Sequence, residues 1–393
     1  MSLYRAIFRS LKTLPSISND NILLMNSKVN LSSNVFIKYN GFRCASTITS
    51  NTKVLTKDDR RDLMAVFPDI VRELSETDIH ELNVLYAKIL QYNVSSGKKE
   101  RGLALISSYK ILAQPQHLTE KNLRLSQILA WAVEMLQAHF IVCDDLMDNS
   151  EMRRGRPCWY RLPEVGFRAI NDALYIQSAM YQLLKNHFSK KPYYHEMLEL
   201  FRSTVAKTIS GQTLDINTRN IKTFAKRYTM DRYTTITRLK TSYYTYHLPV
   251  ALAMLQAGIV DNELHRQAKS ILLEMGRYFQ VQDDYLDVFG DSKETGKIGT
   301  DIQDGKCSWL AVVALHKAND KQRALFEECY GSQDENKIQA IKDLYIKLDL
   351  PALYAAFEEE TYNLIFTQIQ QISQGLPHEL FLSMLNRLHK RQK

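Results

Sequence analysis

The sequence predicts an all-α protein, a single large helical bundle around a central cavity. Three observations point there. The 393 residues include only 14 glycines and 9 prolines, about half of average usage, so few breakers interrupt helices. From residue 56 onward apolar residues recur at intervals of three and four. Strand-like alternation is absent.

In chain order, the helical pattern runs through Leu63–Leu74, Ile79–Tyr92, Leu103–Leu112, Leu123–Asp148, Ala169–His187 and His195–Asp215. It resumes in Thr223–Ala257, Asn262–Phe289, Trp309–Ala318, Leu350–Ile372 and Leu380–Leu388. Loops are expected at Tyr92–Lys98, Asn149–Pro163, Lys190–Pro192, Gly290–Asp304 and Gly331–Asn336. The result is one domain over residues 56–393, with about ten to twelve helices, several longer than average.

Hydrophobic residues make up 45% of the chain, and no uninterrupted apolar run reaches the ~18 residues that suggest a membrane span. Leu129–Leu146 is broken by Glu134, Gln137 and His139 and reads as a core helix, so no stable membrane insertion is expected. The five cysteines, Cys44, Cys143, Cys158, Cys307 and Cys329, are scattered. They form no C-x-x-C pair, which argues against a zinc site or disulfide framework.

Residues 1–45 are rich in Ser, Asn, Leu and Arg, with six basic residues and one acid. That composition is expected of a mitochondrial transit peptide and a matrix protein. A disordered tail is the plainer alternative, and a shorter cytosolic form starting near Met64 is left open. Without the leader the net charge falls from +8 to +3, which leaves no charge argument for nucleic acid.

Two acidic motifs carry the chemistry. Asp144-Asp145-Leu146-Met147-Asp148 ends one long apolar helix and Asp283-Asp284-Tyr285-Leu286-Asp287 ends another. In each, the first and last aspartates are four residues apart and share a helix face. Three carboxylates at a helix C-terminus repel one another and oppose the helix dipole. A fold tolerates them when cations neutralise them, and hard oxygen ligands favour Mg²⁺, which recruits phosphate oxygens. A single such motif reads equally well as a solvated helix end; two, each behind an apolar helix, do not.

Basic segments flank both motifs: Arg153-Arg154 after the first, Thr295-Gly296-Lys297 after the second, and Gly97-Lys98-Lys99-Glu100-Arg101 at an expected helix start. Arginine forks match phosphate oxygens, and a helix N-terminus suits an anion. Each cluster alone would be a solvated surface.

With DDLMDNSEMRRGRPCWY, GQTLD, LKTSYYTYHLP, FQVQDDYLDVFGDSKETGKIGTDIQDGKCSWL and the basic ending Lys390-Arg391-Gln392-Lys393, the chain resembles the farnesyl diphosphate synthase branch of the trans-isoprenyl diphosphate synthases, in an insect-like form. The likeness runs from about residue 59 to the end. It implies the isoprenoid synthase type I fold, a homodimer, and prenyl diphosphates as substrates. Asp144, Asp148 and Asp283 would bind three Mg²⁺ ions, with Asp145, Asp284 and Asp287 supporting them, largely through water. Arg153, Lys240, Lys297 and Lys306 would neutralise the allylic diphosphate, near Asp301. Isopentenyl diphosphate would sit on Gly97, Lys98, Arg101, Gln137 and Arg154, with Phe279 beside its hydrocarbon. Lys240, Thr241 and Gln280 would line the reaction centre, and Gln212 and Asp215 the cavity wall.

Phe140 lies one helical turn, ~6 Å, below Asp144, so with His139 it is expected to floor the pocket and stop the product at farnesyl diphosphate. His139 reads equally as a hydrogen-bonded core histidine. Glu100, Met152 and His139 depart from the family pattern. A family-derived terpene synthase that ionises without coupling, and a geranyl diphosphate synthase, are therefore the alternative enzymes. A non-catalytic partner subunit is the alternative outside catalysis, against which two complete aspartate motifs argue.

Overall fold

The structure, a computed structural model, describes residues 57–291, 299–372 and 375–389. The leader, Lys297 and the basic ending lie outside these residues. Fifteen α-helices are present among them: α1 (Lys57–Ser75), α2 (His80–Asn93), α3 (Glu100–Leu112), α4 (Glu120–Met147), α5 (Ala169–Phe188), α6 (Tyr194–Ile216), α7 (Phe224–Arg227), α8 (Met230–Thr237), α9 (Leu248–Gln256), α10 (Asn262–Phe289), α11 (Trp309–Lys317), α12 (Asp320–Cys329), α13 (Glu335–Lys347), α14 (Leu350–Gln370) and α15 (His378–Leu388). The all-α expectation holds.

The helix α4 is the axis of the core. Thr119 caps its start by accepting from the Asn122 amide, which satisfies a backbone donor that the helix leaves over. The helix then packs against α5, α3, α1 and α9, and Trp131, Leu129 and Leu136 are wholly buried. The Trp131 ring donates from Nε1 to the Leu63 carbonyl at 2.8 Å and lies 4.3 Å from the Phe67 ring, tying α1 to α4. By length and composition α4 could cross a membrane, and 78% of its qualifying stretch is buried inside the protein. Asn149, left-handed at φ 55, turns the chain away just past Asp148.

The second acidic motif rides on α10. Asp261 caps that helix, accepting from the amides of Glu263 and Leu264 at 2.8 and 3.0 Å. The helix packs on α14, α11, α15 and α9.

Three expectations are corrected. The helical pattern over Thr223–Ala257 is not one α-helix. It divides into α7, α8, a π-helical segment Arg238–His247 and α9. Two glycines explain the wide turn. A methyl group on Gly211 of α6 would come 2.2 Å from the Lys240 nitrogen, and one on Gly276 of α10 would come 2.4 Å from the Ser242 Cβ. The π segment is thus wedged between two helices at backbone contact distance, a form that recurs at functional sites. Second, strand structure is not wholly absent. Met152–Arg153 and Arg156–Pro157 form a two-stranded antiparallel hairpin. Its central residues Arg154 (φ 55) and Gly155 (φ 73) are both left-handed, as a type I′ turn requires. Third, α12 and α13 extend the helix count. Their faces are largely exposed, so apolar periodicity is weak. A capping box of Asn319 and Gln322 was the legible signal for α12.

Met64 lies inside α1. A chain that begins there would lose Leu63, which is fully buried, and the ion pair of Asp59 with Lys110. We expect such a form to melt several degrees below one that begins at Lys57, by about 2 kcal/mol or more of lost stability. Thermal unfolding of the two purified proteins checks this; equal midpoints would show that the first turns of α1 are dispensable.

Candidate active site

One cavity of about 1520 Å³ gathers nearly all of the sequence-derived candidates. Its walls include Gly97, Lys98, Arg101 and Gln137 on one side, with Arg153 and Arg154 beside them. Asp144, Asp148, Asp283, Asp284 and Asp287 face it from the ends of α4 and α10, with Lys240, Thr241, Phe279, Gln280 and Lys306, and His139 and Phe140 line it as well. Of the described candidates only Asp145 is not on the wall.

A row of alternating charges organises the metal-side wall. Asp144 Oδ1 accepts from Gln212 Nε2 at 2.9 Å and lies 3.2 Å from Lys240 Nζ. The same ammonium donates to Asp215 Oδ2 at 2.7 Å. Lys306 Nζ lies 3.5 Å from that oxygen and 2.6 Å from Asp148 Oδ2. Asp215, on α6, is therefore the bridge between two lysines that each hold one end of the first motif. Burial pushes the Asp144 carboxyl up, but Lys240, Lys306 and Arg153 outweigh it and hold it below the usual carboxylate range. Burial likewise opposes the Lys240 charge, and Asp144 and Asp215 override it, so the ammonium stays well above its ordinary value. Asp215 was expected only on the wall; its place four residues after Gly211 in the GQTLD run was the available signal.

The middle aspartates do different work from the outer ones. Asp145 is 3% exposed and accepts from Arg153 Nε at 2.8 Å and from its Nη2. Asp284 is 4% exposed. Its Oδ1 accepts from Gln280 Nε2 and its Oδ2 from the Trp309 amide, both at 2.8 Å. Both were expected to support cations through water, and both also accept from protein donors. Their carboxylates are taken by protein donors, so they fix Arg153 and the start of α11. Gln280 in turn accepts from Thr241 Oγ1 at 2.6 Å, so a single hydrogen-bonded chain runs from the π segment through α10 to α11. Asp287 Oδ1 accepts from the Asp301 amide at 2.9 Å.

The basic loop is built by close approach. At Gly97, φ 95, a Cβ would come 2.7 Å from the Arg154 guanidinium carbon. Arg154 Nη1 donates to the Ser96 carbonyl at 2.7 Å and its hydroxyl at 3.0 Å. Arg101 Nη2 donates to Tyr244 and Thr245 at 3.1 and 2.9 Å and stacks 4.7 Å from the Tyr244 ring centre. Two buried atoms on this wall, Arg101 Nε and Gln137 Oε1, have no hydrogen-bond partner, and buried polar atoms rarely stay so. Glu100, one of the departures from the family pattern, is exposed and lies in electrostatic range of Arg387 where α15 packs on α3.

At depth, His139 is 6% exposed and its Nδ1 meets the Ala173 carbonyl at 2.8 Å. Burial pulls its pKa down, against the push of that carbonyl, so it is neutral and donates through Nδ1. It is a hydrogen-bonded core histidine that also lines the cavity. Its ring lies 5.3 Å from Phe140, which meets Tyr244 edge-on at 5.5 Å.

The polyprenyl synthetase family model matches residues 83–348, a stretch that carries both aspartate motifs. The chain belongs to the polyprenyl synthetase family of prenyltransferases. Among its relatives, the farnesyl pyrophosphate synthase of Nezara viridula is 57% identical over 355 residues, 89% of this chain and 87% of that one. The farnesyl pyrophosphate synthase of Gallus gallus is 42% identical over 346 residues, 86% and 94% of the two chains. The solved T. brucei farnesyl diphosphate synthase complexed with risedronate superposes with a TM-score of 0.79 at 33% identity, over 85% of this prenyltransferase and all of that chain.

The bridge makes a stability prediction. In Asp215→Asn two half-buried ammonium groups lose their shared counter-charge, so the protein should lose about 2 kcal/mol. Urea unfolding with an unchanged slope measures it; an unaltered midpoint would mean that Lys240 and Lys306 find other partners.

Proposed function

We propose that this prenyltransferase condenses isopentenyl diphosphate with dimethylallyl and then geranyl diphosphate to give farnesyl diphosphate. The observation that carries the reading is the single cavity bearing two acidic helix ends on one side and the Gly97–Arg101 loop, Gln137 and Arg154 on the other. An enzyme that only ionised one diphosphate would have no use for the second basic wall with its unpartnered Arg101 and Gln137 atoms.

The donor set fits a hard divalent cation. Carboxylates of Asp144, Asp148, Asp283 and Asp287 all line the cavity, and oxygen donors of this kind suit Mg²⁺. Bound there, Mg²⁺ supplies charge stabilisation for a departing diphosphate. The remaining work falls to the chain. Lys240, Lys306 and Arg153 now spend their charge on aspartates, and are placed to transfer it to diphosphate oxygens. Loop and Arg154 hold isopentenyl diphosphate so that its double bond meets the allylic carbon at reacting distance. The Thr241–Gln280 pair turns an amide and hydroxyl to that region without offering a strong base, so the released diphosphate is the acceptor of the departing proton. Phe140, Tyr244 and Phe279 exclude water that would quench the cation.

We also read the protein as a homodimer. Phe167 is 82% exposed, and Ile170 and Leu174, one turn apart at the start of α5, are 54% and 56% exposed. Such an apolar stripe is suited to a second copy. Ile170→Glu should halve the mass measured by equilibrium sedimentation; an unchanged mass would put the contact elsewhere or remove it.

Assay with labelled isopentenyl diphosphate plus either dimethylallyl or geranyl diphosphate tests the function. Farnesyl diphosphate should form only with both present. Terpene hydrocarbon from an allylic diphosphate alone would overturn the coupling reading. Geranyl diphosphate as the end product would move the floor upward. In Phe140→Ala the floor drops, and products longer than farnesyl diphosphate should rise at least about tenfold as a share of total; an unchanged spectrum would show that Phe140 does not limit length.

A further inference from the structure

Lys99 is a lysine that the proposed chemistry leaves idle, and its position is unusual. It precedes α3 in a left-handed conformation, φ 59, and is only 2% exposed. Lys98 and Glu100 on either side are exposed. Its ammonium turns back under its own loop. Nζ donates to the Val94 carbonyl at 2.6 Å and to the Ser96 carbonyl, and sits 5.3 Å from the centre of the Trp131 ring. The Ser96 carbonyl is shared with Arg154 Nη1, so one oxygen joins Lys99 to the arginine hairpin. On the outer side, Arg60 Nη2 reaches the Gly97 carbonyl at 3.4 Å.

These bonds decide which way the loop faces. Carbonyls of residues 94 and 96 point inward at a cation, which keeps their negative ends off the wall where Gly97, Lys98 and Arg101 meet the cavity. The charged groups around Lys99 are Glu134 from α4, Arg154 from the hairpin and Arg60 from α1. Glu134 is itself engaged, accepting from the Gly102 amide at 2.9 Å. The cluster therefore carries more positive than negative charge before any ligand arrives. We propose that Lys99 is a positioning residue of the isopentenyl diphosphate loop: its ammonium, bound to the Val94 and Ser96 carbonyls, holds Val94–Gly97 in the binding shape.

The inference rests on the reading of this loop as the isopentenyl diphosphate site. Burial is the largest influence on the Lys99 ammonium and pulls it down to about 8; Glu134 pushes it up, and Arg154 and Arg60 push it further down. The ordinary value is 10.5. An anion beside the cluster must raise it again, because it favours the charged form. Binding then takes up a proton. Affinity is full below about pH 8 and falls above it, by about tenfold per pH unit at most.

The test is calorimetric binding of isopentenyl diphosphate to the full chain with Mg²⁺ between about pH 7 and about pH 9, in two buffers of different ionisation enthalpy so that proton uptake is read directly. Product formation from isopentenyl and geranyl diphosphates is assayed in parallel. The unsubstituted protein should bind with proton uptake and lose affinity at the alkaline end. Lys99→Arg keeps its charge across that range, so it should bind without uptake and with a flat profile. Lys99→Met should bind at least about tenfold more weakly at pH 7, the equivalent of one pKa unit, with the KM for geranyl diphosphate little changed. An alkaline limb that persists in Lys99→Arg overturns the inference, because another group then titrates. Equal losses for both substrates in Lys99→Met, tracking a lower melting point, also overturn it by assigning Lys99 to stability alone. Farnesyl diphosphate formation with pH-independent binding sinks the inference and keeps the proposed function. Proton-linked binding without farnesyl diphosphate does the reverse, and absence of binding overturns both.

Discussion

Carboxylates gathered at the C-terminal ends of α4 and α10 are the constraint around which this protein is arranged. The helix dipole disfavours them there, and they disfavour one another. The structure answers with lysines from elsewhere in the chain. Lys240 comes from the π segment and Lys306 from the loop before α11, and Asp215 on α6 binds both. The balance is local and reversible, because each ammonium is held by oxygen atoms at the wall of an open cavity. A substrate that brings its own negative charge, with cations for the aspartates, can exchange partners without leaving any charge bare.

That exchange requires the lysines to be placed accurately, which returns the argument to packing. Lys240 and Thr241 belong to the π segment, whose backbone is squeezed between Gly211 and Gly276. Close packing transmits position well, since no slack is left for a side chain to take up. The middle aspartates extend the same logic. Asp145 fixes Arg153, and Asp284 joins Gln280 and Thr241 to the first turn of α11. In each motif the outer aspartates face the cavity and the inner one braces the groups around it, and Asp284 does both.

The second wall follows a different rule. Here cations gather, and backbone carbonyls and one buried acid hold them. Arg154 occupies a left-handed backbone position that costs an ordinary residue of order 1 kcal/mol or more, and its bonds to Ser96 offset this. Arg387 from the last helix lies in electrostatic range of Glu100. The two walls are therefore complementary, one acidic and neutralised by lysines, the other basic and arranged for an anion.

Much of this was written locally. Helix class, the long apolar α4 and α10, the two four-spaced aspartate pairs and the basic runs follow from the order of residues, because periodicity and charge spacing are properties of neighbours in the chain. The sequence likewise placed Phe140 one turn below Asp144 by helical rise alone. Other features depended on residues far apart. The π segment needs two glycines on other helices: Gly211 lies 29 positions before Lys240 and Gly276 lies 34 after Ser242, separations that no local pattern encodes. Asp215 became a bridge only when α4, α6 and the Lys306 loop met. His139 became neutral because burial disfavours its charge, and fixed because its Nδ1 meets the Ala173 carbonyl of α5. Local sequence determined which chemistry the chain carries; tertiary packing decided which charges pair, since pairing depends on distance in space and falls away within a few ångströms of it.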